Sequence, residues 1–405
     1  MEGDDGENGQ GPDAVQAPDV THRRAPPGCV SVRAHATSGP TVPGGDPSVP
    51  YWGNVLQRPF SLCRSSGQPA SPDERRVLRV GILGAARIAP SALIKPARRT
   101  GGVTVAAVAA RQPERAAEFA RKQGIPRVVG SYAALVEDPD IDAIYNPLPN
   151  GLHGYWTIAA LRAGKHVLCE KPFTANADEA RAVAEVANGN PGVVVMEAFH
   201  YQYHPLTKRL IEIVRSGELG NITSVDVSFS APLWKKGDIR YQLGLAGGAT
   251  MDMGCYPISL LRLLVPGPRV VGAEAKLSSP GVDRAMDARF SLPDGGSAHI
   301  GCSMFSSSVL RLHADITGDN GKISIFNPFA PQHGHRMKVT TSLGTRKERF
   351  SRKASYDFQL EAFVAAIEEG SSFPTTAADA IRTMELIDAI YTSAGLPVRQ
   401  PTPVA

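Results

Sequence analysis

Lys171, Asp252 and Tyr256 supply a cation, a carboxylate and a phenol within two short stretches, Cys169-Glu170-Lys171-Pro172 and Gly247-Gly248-Ala249-Thr250-Met251-Asp252-Met253-Gly254-Cys255-Tyr256-Pro257. If the second stretch is helical, Asp252 and Tyr256 are four apart and share one face. Pro257 removes one helical bond and predicts a kink or a fresh helix start there. These residue types suit withdrawal of a proton from a substrate hydroxyl. A free phenol titrates at about 10 and is a poor base, but a neighbouring Lys171 ammonium favours phenolate, each unit of depression corresponding to ~1.4 kcal/mol. Asp252 can orient the hydroxyl or Lys171. No metal is required and none is expected, since the five cysteines lack ligand spacing and His200 and His204 have only Glu197 beside them in sequence.

Loss of a hydride from the same carbon needs an acceptor, and a second group of residues provides for one. Gly81-Ile82-Leu83-Gly84-Ala85-Ala86-Arg87-Ile88-Ala89 follows a β-branched run. Aligned on GxGxxG it keeps glycine only at Gly84, with Ala86 and Ala89 at the other positions. Gly84 gives the tight turn, and the alanines leave room for a pyrophosphate at a helix N-terminus, beside Arg87 and Ile88. The next strand ends Val108-Ala109-Ala110-Arg111, with Arg111 27 positions after Gly84. An NAD site would carry Asp or Glu at that strand end. A neutral residue followed by Arg111, with Arg115 one helical turn on, removes a carboxylate that would repel a 2′-phosphate and offers a forked cation to hold it. NADP is therefore expected over NAD. Tyr145-Asn146-Pro147-Leu148-Pro149-Asn150-Gly151-Leu152-His153 closes another strand at the edge where open α/β sheets bind ligands, which makes Asn146, Pro147, Asn150 and His153 candidate dinucleotide contacts.

The elements that must position these residues fall into two patterns. From Val77 to residue 200, short β-branched runs alternate with Ala-rich helical stretches, the pattern of a doubly wound parallel Rossmann sheet. Strands are predicted at 80–83, 103–109, 141–145, 166–169 and 193–196, and helices at 88–99, 113–123, 156–163 and 178–188; a complete domain of this kind has six strands. Residues 201–405 predict an α+β domain on a large, mostly antiparallel sheet, with strands at 222–231, 270–278, 285–291, 297–304, 310–317 and 336–341. Helices are predicted at 251–264, 358–369 and 377–393, with the last helices packing back on the first domain. One sheet face is left for a partner subunit, which implies a homodimer or homotetramer.

Composition narrows the rest. No run approaches the ~20 apolar residues of a membrane helix, and a net charge of +4 is too weak to argue for nucleic acid or anionic lipid. An odd cysteine count without paired spacing points to free thiols in the cytoplasm. Residues 1–76 hold 11 of the 33 prolines and 10 of the 40 glycines, so they read as a low-complexity, disordered leader rather than a domain. Arg23-Arg24 within it resembles a twin-arginine signal, but Pro26, Pro27, Gly28, Arg33 and His35 follow where an apolar region would stand, so export is not expected.

With these motifs on one chain, residues 77–405 resemble the glucose–fructose oxidoreductase/inositol dehydrogenase (Gfo/Idh/MocA) family, most of all its dihydrodiol and NADP-dependent D-xylose dehydrogenase members. Gly247, Gly248, Asp252, Gly254 and Tyr256 match that family's second-domain motif GGxxxDxGx(H/Y). The resemblance implies that Lys171 lies beside the nicotinamide and the reacting hydroxyl, with Glu170 near the nicotinamide ribose. It also implies hydride transfer between NADP and a sugar, polyol or trans-diol. Residues 196–205 are similar to the family's substrate-side Met-Glu-Ala stretch but depart from it at Gln202, where Arg is common, and at His200. Two other readings fit the same fold: an enzyme like glucose–fructose oxidoreductase that retains NADP through both half-reactions, and a non-catalytic NADP-sensing regulator. The intact Lys171, Asp252 and Tyr256 weigh against the regulator.

Overall fold

The β-branched runs of the first pattern form six strands: β1 (Leu78–Leu83), β2 (Val103–Ala109), β3 (Arg127–Val129), β4 (Ala143–Asn146), β5 (His166–Cys169) and β6 (Val195–Glu197). The computed structural model describes residues 77–233, 237–305 and 310–404; the proposed leader, with its Arg23-Arg24 pair, lies outside the described residues. All six strands run parallel in the order β3-β2-β1-β4-β5-β6. The order reverses between β1 and β4, which opens a crevice at the carboxyl ends of the strands. β3 is the strand the sequence pattern does not place, for three residues are too few to show a period.

Helices α1 (Lys95–Arg99), α2 (Pro113–Gln123), α3 (Tyr132–Glu137), α4 (His153–Arg162) and α5 (Ala177–Asn188) connect these strands, and α6 (Pro205–Arg215) follows them. The single helix expected over 88–99 is instead a wide π-type turn, Pro90–Ile94, running into α1. Pro96 has no N–H to give the Ala92 carbonyl, so a regular turn cannot continue through it. α2 ends on Gly124 at φ +67°, a left-handed residue that needs no Cβ.

The second pattern builds an eight-stranded sheet from β7 (Ile222–Ser230), β8 (Arg269–Ser279), β9 (Val282–Ser291), β10 (Ser297–Ser303), β11 (Arg311–Gly318), β12 (Gly321–Phe326), β13 (Arg336–Thr341) and β14 (Gly344–Glu348). Its order is β14-β13-β12-β11-β7-β10-β9-β8, antiparallel throughout except for the β7–β10 pair. Strict alternation sends Val225, Val227, Ala288, Phe290, Ile300, Ala314, Ile316, Ile323 and Val339 into the core, against α7 (Cys255–Leu264). The opposite face carries Asp226, Asp287, His299 and His313, joined laterally by His–carboxylate hydrogen bonds. α8 (Ser355–Glu369) buries Leu360 and Phe363 with Leu93, Tyr145 and Met196 of the first domain. α9 (Ala377–Ser393) shares its core with Val183 of α5 and Leu261 of α7. No helix among the described residues is long and apolar enough to cross a membrane.

A fully buried charge network fixes the entry to α7. Asp283 on β9 accepts at Oδ1 from Arg399 (2.7 Å) and the Tyr391 hydroxyl (3.0 Å), and at Oδ2 from the Thr250 N–H and hydroxyl (2.7 Å each). Arg399 also donates to the Gly247 carbonyl at 2.7 Å. A Cβ on Gly248, which sits at φ +140°, would lie 2.1 Å from Asp283 Oδ1, so the network explains why glycine stands there. Both charged side chains have 0% exposure. Removing one partner strands the other in the core, so Asp283→Ala is expected to lower unfolding free energy by about 3–5 kcal/mol. Urea unfolding of the full chain tests this, and a loss under about 1 kcal/mol would contradict it.

Candidate active site

The crevice floor is built from backbone and methyl groups. Gly84 ends β1 at φ +89°, donates its N–H to the Ala109 carbonyl at 2.7 Å, and a Cβ there would press on Leu148 at 3.2 Å. Ala85 and Ala86 are half-buried, whereas Arg87 and Ile88 are exposed. Arg111, just past the end of β2, and Arg115, in the first turn of α2, are exposed, and no acidic side chain occurs among residues 109–113. Tyr132 from α3 reaches the same corner, its hydroxyl meeting the Arg111 backbone. A turn that only glycine can make, opening onto unhindered backbone, fits the pyrophosphate of a dinucleotide.

The loops after β4 and β5 form the far wall. Two of the candidate contacts there do not present their polar atoms to the crevice. Asn146 is buried and donates to the His153 carbonyl (3.0 Å) and the Thr157 hydroxyl (3.2 Å). His153 is buried with its ring nitrogens 2.7 Å from the Leu148 and Pro172 carbonyls, tying one loop to the other. Pro147 is buried, and Asn150 donates across to the Ala246 carbonyl at 3.0 Å. Glu170 accepts from the Tyr145 hydroxyl at 2.8 Å; burial raises its pKa, with Lys171 and Tyr145 only partly opposing the rise.

Lys171, Asp252 and Tyr256 meet at the mouth of this crevice. A wide π-type turn, Thr250–Gly254, carries Asp252 and passes into α7 at Cys255, so the kink expected at Pro257 takes the form of a change in helical pitch. Lys171 Nζ donates to Asp252 Oδ1 at 3.1 Å and to its carbonyl at 2.9 Å. Asp252 Oδ2 accepts from Arg240 Nε at 2.7 Å, Arg240 also pairs with Asp238 at 3.0 Å, and Asp238 pairs with Arg87 of the glycine turn at 3.0 Å. Five alternating charges thus run from the crevice mouth back to the dinucleotide turn. Burial works against charge on Asp252, but Lys171 and Arg240 outweigh it and hold its pKa below the ordinary 3.8. Burial likewise opposes charge on Lys171, yet Asp252, with Cys255 and Glu170, lifts its pKa above the ordinary 10.5.

Tyr256 departs from expectation. Lys171 lies over the face of its ring, 5.1 Å from the centroid, rather than beside the hydroxyl. Burial among Phe199, Tyr201, Phe229 and Phe329, with Tyr356 and Glu170 adding repulsion, pushes the phenol well above 10. A standing phenolate is therefore disfavoured. Arg240 and Asp238 pair with each other locally, but the partners that tie them to the site, Asp252 and Arg87, are 12 and 151 residues away and leave no local pattern in the sequence. Gln202 donates to the Ser259 hydroxyl at 2.9 Å; His204 accepts the Leu206 N–H at the start of α6, whereas His200 lies against Ser355 at the start of α8, so the two histidines serve different elements.

A two-domain chain with a dinucleotide turn and a lysine–carboxylate pair at the mouth of the same sheet is an NAD(P)-dependent oxidoreductase. It belongs to the Gfo/Idh/MocA family: residues 78–199 match the model of that oxidoreductase family's NAD-binding Rossmann fold, and residues 207–324 match its C-terminal domain. The chain is 39% identical over 318 residues to D-xylose 1-dehydrogenase (NADP(+)) 2 of Haloferax volcanii, covering 78% of this chain and 96% of the relative. It is 32% identical over 331 residues to dTDP-3,4-didehydro-2,6-dideoxy-alpha-D-glucose 3-reductase of Actinomadura kijaniata, covering 80% and 98%. The crystal structure of KijD10, a 3-ketoreductase from that organism in complex with NADP and TDP-benzene, superposes with a TM-score of 0.70 at 29% identity over 78% of this chain and 97% of its own.

The Asp252 pairing sets a pH-dependent share of stability. Its folded-state pKa is depressed, so its contribution is present above 3.8 and lost as pH falls through the folded value. That of Lys171 is raised, so its contribution is present below 10.5 and lost only as pH rises through the folded value. Asp252→Asn is expected to unfold in urea with about 3–5 kcal/mol less stability at neutral pH. The gap should narrow only below about pH 4; a gap absent at neutral pH, or widest in acid, would contradict the pairing.

Proposed function

We propose that the protein is an NADP-dependent dehydrogenase acting on a hydroxyl of a sugar, polyol or trans-diol, with an aldose as its foremost substrate. The observation that carries this reading is the Lys171–Asp252 pair, held across two domains at the mouth of a dinucleotide turn. The D-xylose 1-dehydrogenase relative supports the aldose choice. The residues fit NADP at both ends: Gly84, Ala86, Arg87 and Ile88 at the pyrophosphate, Arg111 and Arg115 at the 2′-phosphate, and Glu170 near the ribose. When bound, NADP supplies the hydride acceptor.

The chain's own residues handle the proton and the charge. Lys171 stays cationic because Asp252 opposes its desolvation, so it can donate a hydrogen bond to the reacting oxygen without losing its charge. Arg240 keeps the Asp252 carboxylate from rotating toward substrate. Tyr256, a neutral phenol at rest, takes the substrate proton as it gives up its own, from within an aromatic wall that excludes water.

A screen of NADP+ and NAD+ reduction over aldoses, inositols and trans-diols tests the proposal, with turnover expected on NADP+ and an aldose. Arg111→Ala is expected to raise KM for NADP+ about 10-fold or more, the scale of one lost charge-assisted hydrogen bond, and to leave KM for NAD+ unchanged. Lys171→Met is expected to lower kcat by about 10²-fold or more while NADPH still binds. Tighter binding of NADH than NADPH, or full turnover by Lys171→Met, would contradict the reading.

A further inference from the structure

His200 stands where the substrate-side stretch departs from the family, and its surroundings give it one defined tautomer. The residue is 4% exposed. Its Nδ1 lies 3.0 Å from the hydroxyl of Ser355, the first residue of α8. That hydroxyl donates its only proton to Gln332 Oε1 at 2.7 Å, so toward His200 it can only accept, and Nδ1 must carry the imidazole proton. Burial holds the ring neutral, its pKa pushed down to about 3, with Lys171, His204 and His333 adding repulsion. Nε2 is therefore a bare lone pair, and the group it faces is the Tyr256 hydroxyl at 3.5 Å. Tyr356 packs over the imidazole at 4.0 Å and fixes the plane in which that lone pair lies.

We propose that His200 is a positioning residue for Tyr256, accepting the phenol's hydrogen bond at Nε2 through a tautomer set by Ser355 and Gln332. This rests on the reading of Tyr256 as the group that receives the substrate proton. With its own proton turned to His200, the Tyr256 oxygen presents lone pairs to the substrate hydroxyl. As that hydroxyl gives its proton to the phenol oxygen, the phenol passes its original proton to Nε2. One O–H bond forms and one breaks on tyrosine, one N–H bond forms on His200, and the electron pair of the substrate C–H bond leaves separately as hydride to NADP+. No phenolate accumulates; the imidazolium formed in its place has a pKa of only about 3, so the transfer proceeds in concert with loss of the hydride and the proton passes to solvent as product departs. The 3.5 Å contact is long for a hydrogen bond in the free protein, a separation that closes when catalytic groups tighten around substrate.

The test has one arm that needs no substrate. In the full chain labelled with 15N-histidine, without cofactor, the ring-nitrogen signals lost in His200→Asn identify His200, and they are expected to show a protonated Nδ1 and a bare Nε2. Ser355→Ala, which removes the lock without touching Tyr256, is expected to shift those signals toward the other tautomer. In turnover, His200→Asn keeps a polar group near Ser355 and removes the acceptor for Tyr256. It is expected to lower kcat about 10²-fold or more with KM for the sugar changed by less than about 3-fold, since no substrate contact is lost. A proton on Nε2 in the resting native protein would overturn the proposal whatever the turnover. So would a folded His200→Asn protein with kcat within about 2-fold of native, a change too small for a lost proton acceptor. A chain that oxidises no sugar or diol would count against the proposed function alone, and the ring-nitrogen spectrum would still decide the arrangement of His200.

Discussion

The Asp252 carboxylate lies between two cations contributed by different parts of the fold, and the site depends on it. One oxygen takes Lys171 from the loop after β5, and the other takes Arg240 from the segment that leads into the second-domain motif. Either cation alone would leave a nearly buried carboxylate half-satisfied, and without Asp252 both would be desolvated near one another. The pairing therefore fixes the crevice mouth, keeps Lys171 charged and links it through Asp238 to Arg87 on the dinucleotide turn. Behind Asp252, the Asp283–Arg399 pair holds the two glycines from which its turn starts. The C-terminal residues that supply Arg399 are thus part of what places the site.

Burial does opposite things to the groups around this centre. Asp252 and Lys171 keep their charges because each neutralises the other. Glu170 and Tyr256 are also buried and are pushed toward their neutral forms, because no cation faces their titrating oxygens closely enough to offset desolvation. In the proposed reaction this division assigns fixed charge to Lys171 and a mobile proton to Tyr256. A neutral phenol with a hydrogen-bond acceptor on its far side can take a proton and give one up at the same time.

Much of this was legible in the sequence where it depended on local pattern. The strand-turn-helix run at Gly84, the neutral residue and arginine at the end of β2, and the spacing of Asp252 and Tyr256 all describe the chain's immediate neighbourhood. Arg240 and Asp238 were not legible, since their roles come from partners that only the fold brings near. The internal ties of Asn146 and His153 were hidden for a related reason: a polar residue at a strand end has the same sequence signature whether it faces the crevice or ties two loops together. β14, Gly-Thr-Arg-Lys-Glu, has no apolar residue to alternate. α6 did have a readable face in Leu206, Leu210 and Ile213, behind a proline in its first turn. The phenolate expected at Tyr256 is disfavoured because burial raises the phenol and Lys171 stands over its ring.

In the proposed reaction hydride passes directly between a substrate carbon and a dinucleotide seated on the Gly84 turn, with Lys171 required. The most direct measurement uses the substrate labelled with deuterium at its reacting carbon, incubated with NADP+ and the full chain, and reads the reduced nicotinamide by NMR. Deuterium is expected at nicotinamide C4 with the native protein, and no labelled product with Lys171→Met. Deuterium released to solvent, or labelled NADPH formed at the native rate by Lys171→Met, would contradict it.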